Sequence, residues 1–101
     1  MKKNEIRRGQ VLKHVVEEYA ISCEPISSKL ICEKYLENTS PATIRIDLNK
    51  LEKANLIYQP HTSAGRIPTI TGYRTYIEKS ANEIAKTQFE RADILRDILI
   101  K

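Results

Sequence analysis

The sequence predicts a mainly α fold with one small β-hairpin: a winged helix-turn-helix, in which a three-helix core and a wing are followed by a C-terminal helix. Three observations carry this reading. Three stretches with helical spacing of apolar residues come first; a serine-proline start signal opens the third; and two short segments, "LIYQP" and "RIP", follow around "HTSAG". Helix, helix, helix, hairpin is the order of a winged helix-turn-helix.

The first helix is read over Glu5 to Tyr19, where Leu12, Val15, Val16 and Tyr19 recur at helical spacing with Ile6 and Val11 alongside. Lys13, His14, Glu17 and Glu18 are expected to face solvent. Pro25 disfavours helix at Glu24, so a connection falls at "ISCEP". Either Ser27 or Ser28 can cap a second helix by accepting a bond from a free first-turn amide, and Leu30, Ile31, Lys34 and Tyr35 share one face of it.

Ser40 as N-cap with Pro41 at the first helical position is the clearest start signal in the chain, because proline's missing N–H costs nothing there. The third helix runs from Pro41 to about Ala54, and Asn55, tolerant of the left-handed conformation, ends it. Its Ile44, Leu48 and Leu51 form an apolar stripe at i, i+4 and i+7. In the hairpin, Gly65 is available for a positive φ near the turn, and the prolines favour edge strands. Thr69 can cap a further helix holding Tyr73, Tyr76 and Ile77, and the helical pattern continues from Ser80 through Ile84, Ala85, Ala92, Leu95 and Leu99.

A chain of 101 residues suits one domain, and 41% hydrophobic with 30% charged residues suits a packed, soluble one. Residues 1–80 hold thirteen Lys and Arg against nine Asp and Glu, whereas residues 81–101 hold four of each, so the +4 excess lies in the first eighty positions. A basic domain of this kind is compatible with a polyanionic partner.

The third helix opposite its apolar stripe carries Ala42, Thr43, Ile46, Asn49, Lys50 and Lys53, with Arg45 at the border. In a winged helix-turn-helix that helix lies in the major groove of double-stranded DNA. Thr43 and Asn49 can then bond base edges, Arg45 can pair with guanine, Ile46 can touch a thymine methyl, and Lys50 and Lys53 can meet phosphates. Ser40 completes the helix start, and His61, Thr62, Ser63 and Arg66 lie on the wing. The same faces would also suit a protein-interaction module without specific DNA binding, since the fold alone does not decide the partner.

Enzyme chemistry is not expected. His61, Thr62 and Ser63 are consecutive in a turn, where a base cannot readily be set against a neighbouring hydroxyl and oriented by a third group. "SAGR" lacks the spacing of a phosphate-cradling loop. Cys23 and Cys32 show neither CxxC nor zinc-ribbon spacing and read as free thiols, so neither a metal nor a cofactor is expected. With no apolar run long enough for a membrane span and a polar start, "MKKNEIRRGQ", the expected location is the cytoplasm.

Together, "SPATIR", "LE" at Leu51 and Glu52, "PHTSAGRIPT" and "GYR" closely resemble the N-terminal domain of the HrcA family of bacterial heat-inducible transcription repressors, and "EPISSK" is similar to that family's second-helix start. The resemblance spans roughly Glu5 to Lys79. It implies a homodimeric repressor that binds an inverted-repeat operator upstream of chaperone genes, releases it on heat stress, and is assisted by the GroEL chaperonin. It also implies a DNA-binding domain over residues 1–79, with 80–101 a helix leading to a further domain or a dimerisation segment. After "TIR" the family usually continues with asparagine and aspartate, whereas here Ile46 precedes Asp47.

Overall fold

The computed structural model describes residues 2–62 and 65–100. Helices α1 (Lys3–Ser22), α2 (Ser28–Lys34) and α3 (Pro41–Lys53) are followed by strands β1 (Ile57–Tyr58) and β2 (Ile67–Pro68) and by a long helix α4 (Ile70–Ile100). The predicted winged helix-turn-helix is the fold observed.

The core forms where the apolar stripes of three helices meet. Val11, Leu12, Val15 and Val16 of α1 pack with Ile31 of α2 and with Ile44, Leu48 and Leu51 of α3, and Ile26 and Ile57 close the cluster from the segments flanking these helices. Each such side chain stabilises the fold by about 1.5–3 kcal/mol on burial. Val11, read only as flanking, is fully buried, while Ile6 on the same helix is exposed.

The polar face of α1 differs from the sequence expectation at Glu18 and His14, and Glu17 is also only partly exposed. Glu18 is buried, because Lys34 Nζ donates to its Oε1 at 2.6 Å and the Tyr35 hydroxyl donates to the same oxygen. His14 is half-buried rather than solvent-facing: its ring stacks on Tyr35 with centroids 3.8 Å apart and planes 8° apart. Both corrections have one cause. The end of α2 folds back over α1, and an aromatic ring with a polar tip can cover a histidine and satisfy a carboxylate at once.

Caps define the turn of the helix-turn-helix. Ser27, not Ser28, caps α2 by accepting from Leu30 N at 3.1 Å. Ser40 caps α3 by accepting from Thr43 N at 3.2 Å, with Pro41 following it. Asn55, at φ 63°, takes the left-handed conformation just past the helix end, as expected.

The hairpin pairs Ile57 with Pro68 and Tyr58 with Ile67, antiparallel. On its turn side the hairpin gains a third member: Ile26 and Arg66 exchange two backbone hydrogen bonds, each 2.9 Å. Gly65 is therefore required for a reason other than the one expected. No described glycine has a positive φ; instead a Cβ on Gly65 would stand 2.3 Å from the Ile26 carbonyl oxygen. Pro68, although on an edge strand, is buried.

Thr69 starts α4 as predicted, its hydroxyl accepting from Gly72 N at 3.0 Å while donating to the Asn55 carbonyl at 2.7 Å. Tyr73 and Tyr76 pack on the core, and the Tyr76 hydroxyl donates to Glu17 Oε2 at 3.1 Å. The helix then continues without a break through residues 79 and 80, and positions 81–99 are all exposed.

Candidate nucleic-acid interface

The candidate interface is built from α3 upward. Its apolar stripe buries Ile44, Leu48 and Leu51, and most of the other positions point outward. Ala42, Arg45, Ile46, Asn49, Lys50 and Lys53 are all exposed, with Ile46 at 53%. Among the described residues, none of Arg45, Lys50 and Lys53 joins an ion pair. Three cations on one helix, free of internal partners, leave a surface that retains its positive field.

Elsewhere several cations are paired within the molecule. Asp47, a fully buried charged side chain on α3, accepts from Arg7 Nε at 2.6 Å and Arg7 Nη2 at 3.1 Å, with Arg8 Nε 3.6 Å away. The hydrogen bond to Asp47 raises the Arg7 pKa above its already high ordinary value. This pairing ties the start of α1 to the middle of α3. It holds the exposed face at a fixed angle to the body, and nothing local in the sequence signals it, since the partners stand 40 positions apart.

Two of the candidate hydroxyls have local partners. Ser40 Oγ accepts from the Thr43 amide and lies 2.9 Å from Thr43 Oγ1, so both are engaged in the cap, and Thr43 is only partly exposed. On the wing, His61 and Thr62 are exposed, and the Thr62 carbonyl accepts from Gln59 Nε2 at 2.9 Å. Ser63 lies outside the described residues.

Arg66, a wing residue in the sequence reading, packs its side chain against α3. Its side chain is 12% exposed, with Nε 3.1 Å from Glu52 Oε1 and Nη2 donating to Asn49 Oδ1 at 3.2 Å. The Glu52 contact is a close approach of opposite charges without hydrogen-bond alignment. Wing and recognition surface are thus joined by side chains 14 and 17 positions apart. Sequence reading missed Glu52 as part of this surface; its spacing of three from Asn49 was the available sign.

Arg45 also lines a cleft between the start of α2 and the hairpin, together with Ser27, Ser28, Gln59 and Thr62. The cleft brings residues of all three elements next to the exposed face of α3. No cluster of three or more potential metal-ligating side chains occurs among the described residues. Cys23 is an exposed free thiol, and the Cys32 thiol donates to the Thr39 carbonyl at 2.7 Å. No described helix is long and apolar enough to cross a membrane.

The chain is similar to known proteins. The chain is 43% identical over 90 residues to the heat-inducible transcription repressor HrcA of Parafrankia sp., a match covering 89% of this chain and 26% of that protein. It is 47% identical over 73 residues to the HrcA of Thermosynechococcus vestitus, covering 72% and 21%, and 36% identical over 104 residues to that of Symbiobacterium thermophilum, covering 94% and 30%. The chain therefore spans about a quarter of the length of the curated relatives it matches. A crystal structure of a hypothetical protein superposes with a TM-score of 0.72 at 44% identity, over 81% of this chain and 25% of that one.

These matches bear out the resemblance to an HrcA N-terminal domain. The family model for the DeoR-like helix-turn-helix domain matches residues 7–69, from the arginine that grips Asp47 to the threonine that caps α4. With most of α1, all of α2 and α3 and the hairpin inside that span, the chain belongs to the DeoR-like helix-turn-helix family.

Proposed function

We propose that this chain is the DNA-binding part of a heat-inducible transcription repressor, inserting α3 into the major groove of an operator and resting the wing on the backbone. The observation that carries the reading is the exposed face of α3, where Arg45, Lys50 and Lys53 stand without internal counter-charges around Ile46 and Asn49. Cations meet phosphates and guanine, the amide meets a base edge, and Ile46 meets a thymine methyl. The repressor role is taken from the relatives' name.

In this reading the operator is an inverted repeat near chaperone genes, bound by two copies, because a two-fold site is read by a two-fold protein. GroEL enters as a partner by the family resemblance. Residues 1–79 act as the DNA-binding unit and residues 80–101 lead away from it.

The test is a gel-shift titration with an inverted-repeat duplex and a scrambled duplex of the same composition, repeated across salt concentrations. A shift for the repeat that weakens steeply with salt and is absent for the scrambled duplex is expected. Equal, salt-insensitive behaviour toward both duplexes would favour the protein-interaction module instead.

A further inference from the structure

The contact between wing and α3 fixes the chemistry that Asn49 can present. Arg66 Nη2 lies 3.2 Å from one end of the Asn49 amide. A guanidinium carries only N–H groups and accepts nothing, so the atom facing it is the amide oxygen. The amide NH2 is then left on the side away from Arg66, on an exposed helix surface. Arg66 is itself held at both ends. Its backbone exchanges two hydrogen bonds with Ile26, and its guanidinium stands against Glu52.

We propose that Arg66 is a positioning residue which, together with Glu52, holds Asn49 as an outward hydrogen-bond donor. Asn49 then reads an acceptor edge of one base, guanine O6 or N7, thymine O4 or adenine N7. The amide oxygen keeps a second lone pair, so the two-bond adenine contact of an unconstrained asparagine can form only by sharing that oxygen with Arg66. This inference rests on the DNA-binding reading above. Charge supports it independently. Glu52 neutralises Arg66, which is nearly buried, so this cation is not presented to phosphates as Lys50 and Lys53 are.

The experiment selects duplexes from a randomised library with the whole chain, then measures binding of the enriched duplex and its single-base variants. Arg66→Ala is combined with Glu52→Gln, so that one positive and one negative charge leave together. Asn49→Ala and the triple variant complete the cycle. Discrimination at one base position is expected to fall about tenfold in the Arg66/Glu52 pair and in Asn49→Ala alike, with no further loss in the triple variant and an unchanged salt slope.

A pair variant that keeps its base preference but loses about 0.9 from the log-log salt slope would make Arg66 a phosphate contact and overturn the inference. Additive losses in the triple variant would overturn it too. Asn49→Asp covers the case in which the pair variant does not fold. It keeps an oxygen for Arg66 and replaces the outward donor by an acceptor, so preference should leave acceptor edges and move toward the cytosine amino group. Retention of the original preference by Asn49→Asp would refute the proposal. If the unmodified chain enriches no duplex at all, the DNA-binding reading itself fails, which is a separate result.

Discussion

One inward-facing side chain, Asp47, anchors the helix that carries this surface. Asp47 sits among exposed α3 neighbours yet is fully buried under Arg7 and Arg8. Replacing it with asparagine leaves two arginines without their counter-charge. Those arginines are about a quarter exposed and can regain some water, so the expected cost is about 2–3 kcal/mol, below that of a wholly buried pair. Urea denaturation of Asp47→Asn checks it. Lys34, then the Tyr35 hydroxyl, hold the Glu18 carboxyl below the usual carboxylate range against the opposing effect of burial. Its contribution is complete above the unfolded-state pKa and disappears as pH falls through the lower folded-state value. Denaturation midpoints should therefore decline less steeply on the acid side in Glu18→Gln than in the unmodified chain. Burial likewise lowers the His14 pKa, partly offset by Glu17. The neutral ring is favoured on folding, and the stability tied to it is lost as pH drops below the ordinary histidine range. His14→Phe should remove that loss while keeping the stack on Tyr35.

At the scale of elements, the joints carry the specificity of the fold. The start of α4 lies so close to the β1 entry that a Cβ on Gly72 would stand 1.9 Å from the Leu56 carbonyl oxygen, the same oxygen that accepts from Thr69 N at 3.0 Å. Gly72→Ala must shift one backbone against the other, and a destabilisation of about 1–3 kcal/mol is expected from a thermal melt. Helix propensity alone would give the opposite sign, since alanine is favoured over glycine within a helix. The cap at Ser40 offers a separable case: Ser40→Ala should cost about 1 kcal/mol by exposing the Thr43 amide. The caps at Ser40 and Thr69 and the left-handed Asn55 were legible in the sequence because each depends on neighbours three or fewer positions away. The need for Gly65 was legible but its reason was not. Its constraint comes from Ile26, far back in the chain, and not from its own φ.

At the scale of the whole molecule, a compact three-helix body carries a helix of 31 residues, roughly 46 Å at the usual rise, and the long dimension reaches 61 Å. Because positions 81–99 are exposed throughout, a chain ending at Ser80 should unfold at nearly the same urea concentration as the full chain. A large drop would mean that the distal helix stabilises the body. That segment exposes Ile84, Phe89, Ile94, Leu95, Ile98 and Leu99. For DNA, the molecule-wide quantity is the salt slope. Neutral replacement of Arg45, Lys50 or Lys53 should each flatten it by about 0.9 if the cation meets a phosphate, whereas Arg7, Arg8 and Lys34, already paired with Asp47 and Glu18, should leave it unchanged.

What the sequence determined by itself was periodic or local. The stripes of α1 and α3, the Ser40–Pro41 start and the hairpin signal gave the element order, and the motifs from Ser40 to Arg74 gave the family resemblance. The outward face of α3 followed from its period of 3.6. Only the tertiary structure decided which charges that face keeps. Asp47, Glu18 and Glu52 draw arginines and a lysine from other elements, 16 to 40 positions away in all but one case, where Arg66 reaches Glu52 across the hairpin. A charge count along the chain weighs every cation equally. Packing cancels some of them and leaves Arg45, Lys50 and Lys53 standing, because an ion pair depends on distance in space, and only the folded chain sets that distance.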